Sequence, residues 1–119
     1  MARHDKEDFV MVFTSGITPY TSDEASGPTE RFIRNYGTRG HHMAFKTTKI
    51  EETVATLKQD GMEFLLELVG SEDEGLNQIF SEPSLHTLMV NEYIHRYGGF
   101  DGFFSRSNVE KLTVATARQ

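Results

Sequence analysis

The hydrophobic period of the chain changes at Gly61, and this change most restricts the folds open to it. Before Gly61, Ile50, Val54 and Leu57 recur at helical intervals, which predicts an amphipathic helix. After Gly61, short apolar segments separated by turn residues predict strands. The expected strands cover 62–70, 75–81 and 88–97. A helix followed by three consecutive strands predicts the fold class α+β.

The helix that ends at Gly61 is the best defined in the sequence. Thr48 stands three residues before Glu51, which is the spacing of a capping box. Gly61 suits the left-handed position that follows a helix. A strand is expected immediately before this helix, over 40–47. The predicted core is therefore strand, helix, strand, strand, strand.

The flanking segments are expected to add elements to this core within a single domain over 1–119. The expected pieces are a disordered terminus over 1–8, a strand over 8–15, a long loop over 17–28, a short helix over 29–35 capped by Thr29, and a tail helix over 105–119. An irregular stretch as long as the loop is uncommon in a compact domain unless it binds or covers something.

Composition excludes several classes of protein. The chain of 119 residues has no cysteine, which removes disulfides, thiolate metal sites and cysteine nucleophiles, and fits a reducing, cytoplasmic compartment. The net charge is −6, without a Lys/Arg cluster, so nucleic acid is not expected as a partner. No run of about 18 apolar residues occurs, so no membrane span is expected.

One carboxylate lies where an apolar residue is expected. In the strand predicted over 88–97, Glu92 shares a face with Val90 and Ile94. A carboxylate on such a face is costly unless it is paired, hydrogen-bonded or bound to a metal. His42, on another strand, could complete a nitrogen and oxygen donor set for a transition metal. The alternative is that Glu92 pairs with Arg96 or Lys46 and that His42 has a purely structural role.

Several segments, in order along the chain, resemble the C-terminal part of the 4-hydroxyphenylpyruvate dioxygenase family. GHHMAFKTTKIEETVATLKQDGMEFL resembles the family's GVQHIAF string and the helix after it. GLNQIFS resembles its LLQIFT strand, and VNEYIHRYGGFDGF resembles its FFEIIQR segment. Upstream, FVMVFTSG and ERFIRNYGTRG resemble the family's VVTS strand and the approach to the histidine.

The resemblance implies a vicinal-oxygen-chelate module of βαβββ order, with an extra N-terminal strand and a C-terminal helix. In the family two such modules close around Fe(II), which two histidines and one glutamate hold. His42 matches the histidine of QHIAF, and Glu92 matches the glutamate of FEIIQR. The second histidine is then expected from a second module. The implied reaction decarboxylates a 2-oxo acid and hydroxylates its aromatic ring, as in tyrosine degradation.

The same resemblance suggests the substrate contacts. Gln78 matches the glutamine of LQIF, which lies in the substrate pocket of the family. Phe104 and Asn108 fall near the family's FGAGNF segment, on the helix that covers the pocket. Asp23 stands where a substrate-binding asparagine is expected.

Two other functions remain open. In a homodimer, two copies of His42 and Glu92 would form a four-ligand site like that of glyoxalase I, with lyase or isomerase chemistry. Alternatively, the chain is a non-catalytic binding module. The stoichiometry of bound metal distinguishes these readings.

Overall fold

The computed structural model of the chain describes residues 2–3, 10–100, 102, 105, 108 and 111. The chain divides into two compact units, Met1–Arg39 and Gly40–Gln119. The expectation of one domain over 1–119 stays a prediction. Within the described ranges, no helix is both long enough and apolar enough to cross a membrane.

In the first unit the predicted N-terminal strand is shorter than expected. Strand β1 (Ala2–Arg3) pairs antiparallel with β2 (Val10–Met11). Ala2–Arg3 lies in the segment expected to be disordered, and the described residues of 8–15 after Met11 are not in a strand. A strand needs a partner for its backbone N–H and C=O groups, and β1 offers only two residues.

Helix α1 (Pro28–Tyr36) confirms the short helix expected over 29–35. Its N-cap is Gly27 rather than Thr29, because Pro28 takes the first helical position. Proline suits that position since its missing N–H would have no helical partner there. The helix ends at Gly37, whose φ of +80° is a conformation that favours glycine.

The second unit is a four-stranded mixed sheet with one helix. Its elements are β3 (His42–Lys46), α2 (Ile50–Gln59), β4 (Val69–Ser71), β5 (Leu76–Phe80) and β6 (Val90–Arg96). The strands lie in the order β3-β6-β5-β4. Strand β6 pairs in parallel with β3 and antiparallel with β5, which in turn pairs antiparallel with β4. The described chain therefore has the α+β class expected from the sequence.

The capping box predicted for helix α2 was wrong. Helix α2 begins at Ile50 with Lys49 as its N-cap, and no side chain caps it, so the capping box expected at Thr48 does not form. Thr47 Oγ1 instead accepts a hydrogen bond from the N–H of Lys49. The predicted C-terminal boundary was right, since the residue after the cap, Gly61, has φ of +96°.

The strand expected over 62–70 is reduced to β4, together with one isolated bridge from Phe64 to Ser81. Leu65 and Leu66 both pack against the same core cluster. Successive residues of a strand point to opposite faces, so this packing is incompatible with a regular strand there. Apolar burial overrode the strand pattern.

Side chains alternate between the two faces of the sheet. The α2 face, covered by helix α2, carries Asn77, Ile79 and Tyr93, and Ile79 forms a core cluster with Ile50 and Val54 of the helix. The opposite face, termed the Glu92 face, carries Gln78, Phe80, Val90 and Glu92. The alternating burial of β6 confirms that Glu92 lies with the apolar residues of its strand.

Candidate metal centre

The sheet brings His42 and Glu92 together although they are far apart in the sequence. Strands β3 and β6 are parallel neighbours, with His42 opposite Val90 and Ala44 opposite Glu92. His42 Nε2 lies 3.2 Å from Glu92 Oε2.

The Glu92 carboxylate is buried and its two oxygens have different partners. Glu92 is 3% exposed. Gln78 Nε2 donates a hydrogen bond of 2.6 Å to Oε1, whereas Oε2 faces His42. A hydrogen bond to an ionised oxygen is stronger than one between neutral groups. The carboxylate is thereby held in one orientation, and Oε2 is the oxygen presented to the imidazole.

The polar chain continues beyond Gln78. Asn108 Nδ2 donates a hydrogen bond of 2.9 Å to Gln78 Oε1. Both amide residues have zero solvent exposure. Asn108 Oδ1 is buried as well, and no described residue hydrogen-bonds to it. A fully buried row of three polar side chains therefore crosses an otherwise apolar part of the sheet.

The other ring nitrogen of His42 contacts its neighbour in the sequence. The Nδ1 atoms of His41 and His42 lie 2.9 Å apart, so one ring donates a hydrogen bond to the other. The edge of the His42 ring also packs against Phe80, with centroids 5.2 Å apart. Strand β3 begins at His42, so the alternation of side chains within the strand does not apply to His41.

The pair fits the chemistry of a transition-metal site. A nitrogen and an oxygen that bind one ion at about 2.0–2.2 Å each can lie at most about 4.4 Å apart. The 3.2 Å between His42 Nε2 and Glu92 Oε2 lies within that limit. In the described part of the chain, no three His, Asp or Glu side chains group as a metal site. The structure thus brings His42 and Glu92 close together, and their binding of a metal ion stays a prediction.

The pair is also compatible with a purely structural role. Glu92 has a partner at each oxygen, so its burial does not require a metal ion. The structural role considered from the sequence named Arg96 or Lys46 as the partner. Arg96 Nε instead donates to the carbonyl oxygen of Gly102 at 2.8 Å. Only a metal-binding measurement separates the two roles.

The four residues predicted to contact substrate are divided between the buried polar row, the first unit and the residues that the structure does not describe. Gln78 and Asn108 belong to the buried polar row. Phe104 lies outside the described residues, as do most of the residues of the expected tail helix, although Asn108 and Lys111 are helical. Asp23 belongs to the first unit, where its Oδ1 accepts a 2.6 Å hydrogen bond from the hydroxyl of Tyr20. This hydrogen bond raises the pKa of Tyr20.

Comparison with known proteins bears on the architecture of the chain. No protein-family model matches the chain. No curated protein matches it either. A solved structure, that of a hypothetical protein from Bacillus halodurans C-125, is similar, with a TM-score of 0.52 and 25% identity. The match covers 66% of this chain and 56% of that protein, so it spans little more than half of that protein's length.

Proposed function

We propose that the chain is the C-terminal metal-binding module of a non-haem Fe(II) oxygenase that resembles 4-hydroxyphenylpyruvate dioxygenase. The observation that carries the proposal is the close approach of His42 Nε2 to Glu92 Oε2 on neighbouring strands. These two residues are the ones that the resemblance implies as ligands. A second vicinal-oxygen-chelate module supplies the remaining histidine.

The topology of the second unit supports this proposal. Its elements follow the order β3, α2, β4, β5 and β6, which is the strand, helix and three strands expected for such a module. Strand β6 pairs in parallel with β3, so His42 and Glu92 lie on one face of the sheet, which supports their proposed role as ligands. Strand β3 is at the edge of the sheet, so His42, whose side chain is 29% exposed, is accessible to a second module.

The residues of the Glu92 face have separable tasks in the proposed reaction. Bound Fe(II) supplies Lewis acidity and oxygen chemistry and leaves positions open for a 2-oxo acid. His42 and Glu92 hold the ion. The ring of Phe80, which is 2% exposed, packs on the His42 ring and keeps water from that side. Substrate contacts by Gln78, Phe104, Asn108 and Asp23 are inferred from the resemblance alone.

The test is an anaerobic titration of the purified chain with Fe(II), repeated on His42→Ala and Glu92→Ala. We expect saturable binding by the unmodified chain and loss of that binding in both variants. Matched controls are His86→Ala and Glu82→Ala, which remove one exposed histidine and one exposed carboxylate. Binding that persists in His42→Ala and Glu92→Ala, or that disappears equally in the controls, would contradict the assignment.

A second candidate is a homodimeric, glyoxalase-like metal enzyme. The observation in its favour is the position of His42 on edge strand β3, where its side chain is 29% exposed and accessible to a second copy of the chain. The unpaired backbone groups of an edge strand also favour association with another chain. Mass in solution measured during the titration separates the candidates. One ion per dimer, lost in both ligand variants, favours the homodimer, whereas one ion per monomer excludes it.

A further inference from the structure

We propose that Asn108 is a positioning residue for the metal centre. It holds Gln78 in the amide orientation that engages Glu92 Oε1 and presents Oε2 to the ion. The inference rests on the proposed function, because it assigns a task to a residue that does not itself touch the metal. It also differs from the substrate contact that the resemblance suggested for Asn108.

The hydrogen bond to Glu92 determines the orientation of both amides. A carboxylate oxygen only accepts hydrogen bonds, so the 2.6 Å contact with Glu92 Oε1 requires the Nε2 side of Gln78. Gln78 Oε1 then faces Asn108 at 2.9 Å, and it requires a donor. Only the Nδ2 side of Asn108 meets that requirement. Donor and acceptor therefore alternate along the row from Asn108 to Glu92.

Burial makes this alternation hard to break. Gln78 and Asn108 have no solvent exposure, so water cannot replace a lost partner without a rearrangement of the protein. If the donor of Asn108 is removed, Gln78 Oε1 loses this hydrogen bond, and the amide orientation that matches Glu92 is less strongly favoured. A rotated amide would present oxygen to oxygen at Glu92, which is repulsive and would disturb the orientation of the carboxylate.

The side chain of Asn108 lies close to the backbone of Gly70. Gly70 in β4 has φ of +90°, and a Cβ atom there would overlap the carbonyl oxygen of Leu76. The same Cβ atom would lie 2.8 Å from Asn108 Nδ2. The amide group of Asn108 thus occupies space that any other residue at position 70 would fill. Gly70, which has no side chain, therefore leaves room for the amide of Asn108.

The test substitutes Asn108→Leu, which keeps a similar volume and removes the amide. Binding of Fe(II) and Co(II) is measured anaerobically, and the visible spectrum of bound Co(II) reports the ligand arrangement. Partners outside the ligand set typically change metal affinity by about 10–100-fold, so we expect at least about tenfold weaker binding and an altered spectrum. An affinity within about twofold of the unmodified chain would overturn the proposal.

The matched control is Asn77→Leu. Asn77 is the neighbouring buried amide of β5, and its Nδ2 donates to the carbonyl oxygen of Val69 on the opposite face of the strand. Its Oδ1 accepts a hydrogen bond from Tyr97. We expect this variant to lose stability but to keep metal affinity and spectrum. Equal losses of affinity in both variants would mean that Asn108 acts only through folding, and would overturn the proposal.

A double variant tests whether Asn108 acts through Gln78. If it does, Gln78→Leu combined with Asn108→Leu binds metal no more weakly than Gln78→Leu alone, because residues that act in one chain are not additive. Fully multiplicative losses would overturn the proposed route through Gln78.

A readout without metal keeps this inference distinct from the proposed function. In the metal-free chain, NMR exchange of the Gln78 side-chain amide reports its hydrogen bond to Glu92. We expect slow exchange that becomes fast in Asn108→Leu and stays slow in Asn77→Leu. If the unmodified chain binds no metal, the proposed function fails, and this exchange still decides the orienting role of Asn108. Unchanged exchange in Asn108→Leu would overturn it.

Discussion

The two faces of the sheet bury their residues in different ways. On the α2 face, Ile79 is enclosed by Ile50 and Val54 of the helix, and the core is apolar. On the Glu92 face, Val90 and Phe80 form a second apolar cluster, but Glu92 is buried beside them. The strands that build both faces are the same. The difference therefore comes from side-chain identity at alternate positions and not from the backbone.

This difference shows what each face contributes. An apolar face gains stability in proportion to the surface removed from water. A buried carboxylate gains nothing from burial itself and must have hydrogen-bonding partners. On the Glu92 face, Gln78 and His42 supply these partners, so several polar side chains of this face are committed to one carboxylate.

The largest expected effect on stability belongs to the α2 face. Ile79→Ala removes a side chain with no solvent exposure, and a cavity of this kind costs about 2–5 kcal/mol. Denaturant unfolding measures the loss, and metal affinity of the folded chain should stay unchanged. If the free energy of Fe(II) binding falls by as much as the free energy of unfolding, the two faces are not independent and the comparison between them fails.

Gly70→Ala is expected to cost somewhat less, and it affects the Glu92 face. The positive φ of Gly70 is strained for any side chain, which costs about 1–3 kcal/mol, and overlap with Leu76 adds to that cost. Gly75→Ala is the control, because Gly75 also has a positive φ but the atoms nearest to a Cβ there belong to the side chain of Phe100 and not to the backbone. Comparable unfolding free energies for the two variants would contradict the close approach at Gly70.

His42→Ala probes the polar pairing itself. Removing the imidazole leaves Glu92 Oε2 without its partner in a buried position, and an unpaired buried polar group costs about 1–3 kcal/mol. The double variant with Glu92→Gln should recover part of this loss, since a neutral amide keeps the acceptor for Gln78 and costs less than a carboxylate to bury without a partner. A double variant less stable than the single one, by chemical denaturation, would show that the carboxylate is not the source of the cost.

The smallest expected effect is a pH dependence confined to the α2 face. Burial, and then the charges of Glu72 and Glu51, raise the pKa of Tyr97, whose hydroxyl donates to Asn77. Because the folded-state pKa is the higher one, this contribution to stability is full below the ordinary value of 10.0 and is lost as pH rises through the folded value. Unfolding free energy measured against alkaline pH should fall less steeply in Tyr97→Phe. If unfolding free energy falls equally steeply with pH in Tyr97→Phe and in the unmodified chain, Tyr97 is not the source of the pH dependence.

Part of the fold was predictable because its signals are local. The helix before Gly61 and the strands β5 and β6 follow from the period of their apolar residues. The strand expected over 62–70 did not follow, because Leu65 and Leu66 pack on one cluster and tertiary burial outweighed local preference. The N-cap of α2 was also missed, since side chains compete for the same backbone N–H groups and Thr47 is the one that bonds Lys49.

The candidate site was predictable only in part. An acidic residue on an apolar strand face was a sufficient signal for Glu92, and the resemblance identified His42. The hydrogen bond from Gln78 to Glu92 was missed, although both lie on inward-facing positions of strands that the sequence predicted. The contact of His41 with His42 had no signal in the pattern, because His41 lies just outside the strand.

The sequence by itself determined which residues alternate between the faces, since side chains of a strand point to opposite sides whatever the strand pairs with. It also determined that Glu92 needs a partner. Only the tertiary structure decided which partners it has, because strand order and register bring His42 and Gln78 to one carboxylate from distant parts of the chain. Register depends on the summed burial of all four strands, and no single segment contains that information.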